Sequence, residues 1–227
     1  MSAVESVSAH IQDYAKAVYA LESRGGTPVS TNDLAARLGV TPGSVSAMLR
    51  KLSDLGLAEH EPYRGVRLTD RGRRVALEVM RHHRLLELFL ADELGMPWDQ
   101  VHAEAEVLEH VLSDELERLI AERLGDPTVD PHGDPIPSPA LEIHEAETCC
   151  LEELSPGTIG RFVRVSDSDP EMLRYLAEQG IALGDELEVI GRQPFGGPVF
   201  VRVGEREMPL GGGLARAMRI ELEPASR

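Results

Sequence analysis

Residues 81–124 read RHHRLLELFLADELGMPWDQVHAEAEVLEHVLSDELERLIAERL, and this stretch decides the fold. Gly95, Met96 and Pro97 halt one helix and start a second. On the first, His83 and Glu87 are four residues apart and project from one face. On the second, His102, Glu106, Glu109 and His110 fall within about 100° of one another at 3.6 residues per turn. Leu85, Leu86, Leu88, Phe89, Val101, Val107, Leu108, Val111 and Leu112 run between them, enough apolar surface to bury both helices. A single His–Glu pair on an amphipathic helix ordinarily faces water. Three imidazoles and three carboxylates at i, i+3 and i+4 on two packed helices are instead how a helical scaffold gathers transition-metal ligands.

The chain has 227 residues, room for one large domain or for two to three small ones. No run of eighteen apolar residues occurs, and the N-terminus lacks a basic-then-apolar signal, so a cytoplasmic protein with no membrane partner is expected. Cys149 and Cys150 are adjacent and build no disulfide framework; they read as incidental residues at a domain boundary. A net charge of −16 argues against a nucleic-acid partner, but its distribution is uneven. Residues 1–75 carry +2 and the remainder −18. A near-neutral head on an acidic body suits a protein whose head alone approaches DNA, and the acidity elsewhere attracts divalent cations.

That head reads as a winged helix-turn-helix. Residues 10–23 give a helix with Ile11, Tyr14, Ala15, Val18 and Leu21 on its apolar face, ended by Gly25 and Gly26. Asp13 sits beside that face, either solvated or reaching a partner across the core. Ser30 caps a helix through Leu38, Gly39 makes the turn, and Thr41–Pro42 starts a second helix through about Leu52. Val45, Leu49 and Leu52 face inward. Thr41, Pro42, Gly43, Ser44, Ser46, Ala47, Arg50 and Lys51 are therefore candidates for the major groove and its phosphates. Strand-like runs flank Tyr63-Arg64-Gly65, a wing with Arg64 and Arg67 placed for the backbone. Thr69 caps a long helix from Asp70 to about Leu94, which carries the chain to His83 and Glu87.

Five prolines within 125–152 mark a linker, and His132 is the lone histidine of its proline-rich part, 125–140. Residues 153–227 alternate as strands at Thr158–Val165, Glu186–Arg192, Pro198–Val203 and Ala217–Leu222, with a short helix Glu171–Gln179. A small barrel is expected. The domains expected are thus 1–75, 76–124, the linker 125–152, and 153–227, mainly α with a small β domain.

This order resembles the diphtheria-toxin-repressor family of metal-dependent transcription regulators. MRHHRLLELFL (80–90), VHAEAEVLEHVLSDELE (101–117) and DPHGDPIP (130–137) carry the resemblance, which covers nearly the whole chain. It implies a homodimer built on the middle helices and an SH3-like, FeoA-like third domain. It also implies a primary site of Asp13, Glu106 with its backbone carbonyl, Glu109 and His110, and an ancillary site of His83, Glu87 and His102. For the third domain it points to Asp169, with Glu171 next. Manganese-sensing relatives with the same Pro-His-Gly motif add His132. Iron-sensing members carry Met and Cys where this chain has Asp13 and Glu106; two carboxylates suit Mn²⁺. Short manganese-sensing members have Glu where Lys16 stands, which places the second metal at His83, Glu87 and His102.

The reading is a repressor activated by Mn²⁺, binding a palindromic operator at manganese-uptake genes as a dimer. Fe²⁺-responsive control of iron homeostasis is the alternative, and Fe²⁺, Co²⁺ and Zn²⁺ are ions that can substitute. Two rivals stand beside it. A metallohydrolase needs an open coordination position, a general base and a cleft, and no nucleophile motif lies nearby. A winged-helix dimer without metal leaves the acidic helices only to dimerise.

Overall fold

The computed structural model describes residues 7–25, 28–61 and 64–222. Helix α1 (Ala9–Gly25) opens the chain. Ser30 Oγ accepts from Asp33 N to start α2 (Thr31–Leu38), and Thr41 Oγ1 accepts from Ser44 N to start α3 (Pro42–Asp54). Between them Gly39 adopts φ +64°, the left-handed turn that glycine enters without a Cβ penalty. Strands β1 (Ala58–Glu61) and β2 (Gly65–Leu68) pair antiparallel with Ala58 opposite Leu68. Gly26 and Tyr63, expected at the end of α1 and in the wing turn, lie outside the described residues. Val18, Leu34, Val45, Leu49, Leu52 and Val66 are fully buried in one core beneath these elements. Thr69 then accepts from Gly72 N at the start of α4 (Asp70–Asp92).

Past Pro97 the structure departs from the expected single helix. Helix α5 (Val101–Leu108) stops, and Ser113 caps a separate α6 (Asp114–Arg123) through Leu116 N. Glu109 N still donates to Ala105 O, so Glu109 closes the last turn of α5 and His110 follows it. The sequence signal is Ser113-Asp114-Glu115, a cap followed by acids in the first turn.

The chain divides into two units: Met1–Leu86, Ala105–Asp126 and Ile136–Ile143 form one, and Glu87–Glu104, Pro127–Pro135 and His144–Arg227 the other. The second unit is built on a six-stranded antiparallel sheet in the order β3-β8-β4-β5-β6-β7. Its strands are β3 (Cys149–Cys150), β4 (Ile159–Val165), β5 (Glu186–Arg192), β6 (Val199–Val203), β7 (Arg206–Leu210) and β8 (Met218–Leu222). Helix α7 (Pro170–Glu178) follows β4, and α8 (Gly212–Ala217) precedes β8. Phe162, Leu173, Leu176, Leu187, Val201 and Leu210 fill its core. Strand β3 and the 3-10 turn Leu151–Glu153 lie largely inside the expected linker, because Cys149 and Cys150 pair with Ile220 and Arg219. Among the described residues no helix is long and apolar enough to cross a membrane.

Candidate metal centres and nucleic-acid interface

The first ligand cluster lies in the first unit, where α1 meets the end of α5. His110 Nε2 is 3.0 Å from Asp13 Oδ1 and 3.5 Å from Glu109 Oε1. Its other nitrogen, Nδ1, lies 2.6 Å from Gln12 Oε1, an amide oxygen that only accepts. Gln12 is buried, and its Nε2 donates to Val7 O, which fixes the amide that way round. Nδ1 therefore carries a proton, and Nε2 is the nitrogen that faces Asp13. Asp13 Oδ1 is buried without a hydrogen bond. At 3.0 Å an imidazole nitrogen and a carboxylate oxygen need a proton or a metal ion between them. Burial raises the Asp13 carboxyl above its ordinary range against the pull of His110 and Lys16. Asp13, Glu109 and His110 thus offer donors that fit one cation, within 4.8 Å of one another, and Glu106 stands beside them with Glu109 and His83.

His83, Lys16 and His82 position this cluster, with Arg81 behind them. His83 Nδ1 donates to Glu109 Oε2 at 2.5 Å. Lys16 Nζ donates to Glu106 Oε1 at 2.7 Å and to Glu109 Oε1 at 2.5 Å. Burial opposes the charge on Lys16, but Glu109 and Glu106 outweigh it and raise its value. His82 donates from Nδ1 to the Glu109 carbonyl and from Nε2 to Glu117 Oε2, so its ring is an imidazolium. Burial opposes that charge too, and the bonds to Glu117 and Glu109 raise its value. Arg81 joins by bonds to Glu117 Oε1 and the Pro137 carbonyl.

The second cluster belongs to the second unit and centres on Glu87, which is 1% exposed. His102 Nδ1 lies between Glu87 Oε1 at 3.1 Å and Asp167 Oδ2 at 2.9 Å. Hydrogen bonding to Asp167 and then to Glu87 pushes the His102 imidazole up to about 10. On the other side His132, fully buried, donates from Nε2 to the Trp98 carbonyl at 2.7 Å and stacks on the indole. Its Nδ1 is buried without a hydrogen bond, 3.8 Å from Glu87 Oε2. That separation is too long for a hydrogen bond, yet donors about 2.1 Å from one ion sit roughly 3–4 Å apart. Burial opposes charge on His132, but the Glu87 carboxylate more than offsets it and the ring is pushed up to about 9. Asp130 completes a buried triple with Glu87 and His132. Its Oδ1 accepts from the backbone N–H groups of His132 and Asp134, which sets the loop. Gly133, at φ +84°, lets that loop press on β4, where a Cβ would stand 2.0 Å from the Val163 carbonyl. The His132 carbonyl there accepts from Val165 N.

The expected residues are thus sorted by geometry. Asp13, Glu109 and His110 come together as one group, and Glu106 joins Glu109 and His83 in an adjoining one. Of the expected ancillary triple, Glu87 and His102 meet, and His83 stands one turn before Glu87 on α4 with its Nδ1 donating to Glu109. Asp169 is not at His102; its side chain caps α7 by accepting from Glu171 N, and Glu171 is exposed there. Asp167 takes the place beside His102. Asp167, Asp130, Gln12 and the bridging position of Lys16 escaped sequence reasoning. Asp169 before Pro170 repeats the Thr41–Pro42 capping signal, and so could have directed attention to Asp167.

On the head, Thr41, Pro42, Gly43, Ser44, Ala47, Arg50 and Lys51 are exposed along α3 and Ser46 is half-buried. Ser44 Oγ is 3.0 Å from Thr41 Oγ1, and Ser46 Oγ donates to the Pro42 carbonyl. Arg64 pairs with Glu61 at 3.1 Å, and Arg67 is exposed on β2 opposite Glu59.

Comparison with known proteins bears on both features. Three family profiles match in succession: the N-terminal DNA-binding domain of iron-dependent repressors over 6–66, their metal-binding and dimerisation domain over 69–138, and the FeoA domain over 149–222. The iron-dependent repressor IdeR of Mycobacterium tuberculosis is 32% identical over 220 residues, covering 92% of this chain and 95% of IdeR. The chain belongs to the diphtheria-toxin-repressor family. The diphtheria toxin repressor of Corynebacterium diphtheriae is 30% identical, over 92% of this chain and 95% of its own. Among solved structures, a manganese-dependent transcriptional repressor in complex with manganese is 42% identical with a TM-score of 0.87, covering 94% of this chain and 100% of that one. The manganese regulator SloR is 29% identical with a TM-score of 0.75, over 94% and 98%. As a member of the diphtheria-toxin-repressor family the chain is a metal-dependent transcriptional repressor, not an enzyme, which sets aside the hydrolase and the metal-free dimer.

Proposed function

We propose that this repressor responds to Mn²⁺, binds a palindromic operator as a homodimer, and controls manganese-uptake genes. The observation that carries the metal is the donor chemistry. Both clusters consist of carboxylates and imidazoles with no sulfur ligand, and Asp13 and Glu106 are the hard-donor choices at the two positions that divide the family. The 42% identity to a manganese-dependent repressor agrees. Fe²⁺ is the second reading, favoured by the iron-dependent repressors among the relatives. In the first cluster Asp13, Glu106, Glu109 and His110 would hold the ion; in the second Glu87, His102, His132, Asp130 and Asp167 would do so.

A bound divalent ion would supply positive charge there, and Asp13, Glu109 and His110 are the donors that would hold it. Asp13 lies on α1, whose apolar face packs in the same core as α2 and α3. The ligands therefore favour one placement of the helix-turn-helix, and operator binding and ion binding strengthen each other by about 1–3 kcal/mol. The dimer rests on α5, α6 and the turn between them, which leave Val107 69% and Val111 78% exposed, with Leu116 and Leu119 about half-exposed. Arg50, Lys51, Arg64 and Arg67 contact phosphates, and Ser44, Ser46 and Ala47 meet base edges.

Fluorescence anisotropy against DNA from the protein's own promoter, in chelator, Mn²⁺ or anaerobic Fe²⁺, tests this. Tight binding only with metal, strongest with Mn²⁺, is expected. Equal binding in chelator removes the metal from regulation, and stronger binding with Fe²⁺ selects the second reading. Asp13→Met with Glu106→Cys should shift the preference toward Fe²⁺; a double variant that still prefers Mn²⁺ defeats the ligand argument.

A further inference from the structure

Lys16 stands about one turn after Asp13 on α1, with its side chain 19% exposed. Its ammonium lies 2.7 Å from Glu106 Oε1 and 2.5 Å from Glu109 Oε1. Two of the four proposed ligands are therefore already bridged by a cation that belongs to the chain. Asp13, Glu106 and Glu109 carry three negative charges and Lys16 one positive charge, so the cluster is short of neutrality by one divalent ion. A second such ion would enter a neutral cluster and face both the first ion and an ammonium across a few ångströms.

We propose that Lys16 is a built-in counter-cation that restricts the Asp13 cluster to one divalent ion per chain and weakens that ion's binding by competing for Glu106 and Glu109. The role rests on the metal reading of that cluster given above. It needs no change of protonation: the ammonium remains charged, and its flexible four-carbon stem lets it withdraw from a carboxylate oxygen that an ion takes. Replacing Lys16 by a neutral side chain removes the competitor. Replacing it by a carboxylate reverses the local charge and supplies a further oxygen ligand.

The test counts Mn²⁺ by equilibrium dialysis and follows it by electron paramagnetic resonance in the full-length parent, Lys16→Met and Lys16→Glu, with circular dichroism to verify folding. Lys16→Met should bind the parent's number of ions with the first-cluster ion roughly tenfold tighter. Lys16→Glu should bind one more ion per chain and gain the exchange-coupled spectrum of neighbouring Mn²⁺ ions. No gain in affinity in Lys16→Met, or no additional ion in folded Lys16→Glu, overturns the proposal. So does a coupled pair in the parent that disappears in Asp13→Ala, a result that stands even if neither Lys16 variant folds. Asp13→Ala also separates the two levels of inference. If it removes no ion from the parent's count, the metal reading of the cluster fails. If it removes one while the Lys16 variants match the parent, only the role of Lys16 fails.

Discussion

Around Glu109 the positive charge facing the carboxylates is carried by Lys16; around Glu87 it is carried by protons on two imidazoles, His102 pushed up to about 10 and His132 to about 9. The two clusters use the same residue types and so look alike in a sequence, but their charge is balanced by different means. An ion entering the first displaces an ammonium that moves aside still charged. One entering the second must expel protons into solution. The two should therefore respond differently to mutation and to pH.

The largest effect tests whether they are separate sites. Glu109→Gln should weaken ion binding at the first cluster by at least about 100-fold and leave the second unchanged, because Glu109 is the fully buried carboxylate shared by Lys16, His83 and His110. Calorimetric titration with Mn²⁺ would then keep only one of two binding phases. Loss of both phases means that the clusters do not bind independently.

Acidity tests the difference in charge balance. Affinity at the second cluster should rise with pH toward 9, by up to about tenfold per unit for each proton expelled, since His102 and His132 are charged below their raised values. Calorimetry in buffers of different ionisation enthalpy counts those protons. Pairing with Glu109→Gln isolates the second cluster, and no buffer dependence there contradicts the protonated imidazoles.

Gln12→Leu probes the first cluster more gently. It frees His110 to change tautomer, and should lower affinity there by about tenfold with the second cluster untouched. An unchanged first phase would show that Gln12 does not orient the ring.

The smallest effect concerns His82, whose charge supports the first cluster from behind. Its folded value is raised, so its stabilisation is complete below the ordinary imidazole range and is lost as pH rises through the raised value. Metal-free parent protein should lose about a few degrees of melting temperature relative to His82→Gln between pH 6 and 9. A difference independent of pH assigns His82 a packing role.

The elements with strong punctuation were legible. Ser30, Thr41–Pro42 and Gly39 sit where their chemistry requires, and the alternating runs at 158–165 and 186–192 became β4 and β5. Strand β7 escaped because it lies at a sheet edge, carries Arg206 and Glu207 outward and contains Pro209, the residues that keep edges from aggregating and that also read as a loop. The break at Ser113 was obscured by apolar periodicity that continues through it. Within the candidate sites, spacing along one helix exposed Glu106, Glu109 and His110. The pairing of His110 with Asp13 joins residues 97 apart, and no local pattern encodes it; the family resemblance supplied it. Asp167 hid behind Asp169, a better-looking acid already occupied as a cap.

The early end of α5 at Leu108 has a consequence of its own. Glu109 and His110 follow directly on the carboxyl terminus of that helix, where aligned peptide dipoles leave a partial negative charge of about half a unit. That attraction for a cation comes from the backbone, does not titrate, and survives any side-chain replacement. A variant stripped of Asp13 and Glu106 should therefore keep a weak, salt-sensitive hold on cations at this spot, shared between Glu109, His110 and the helix end.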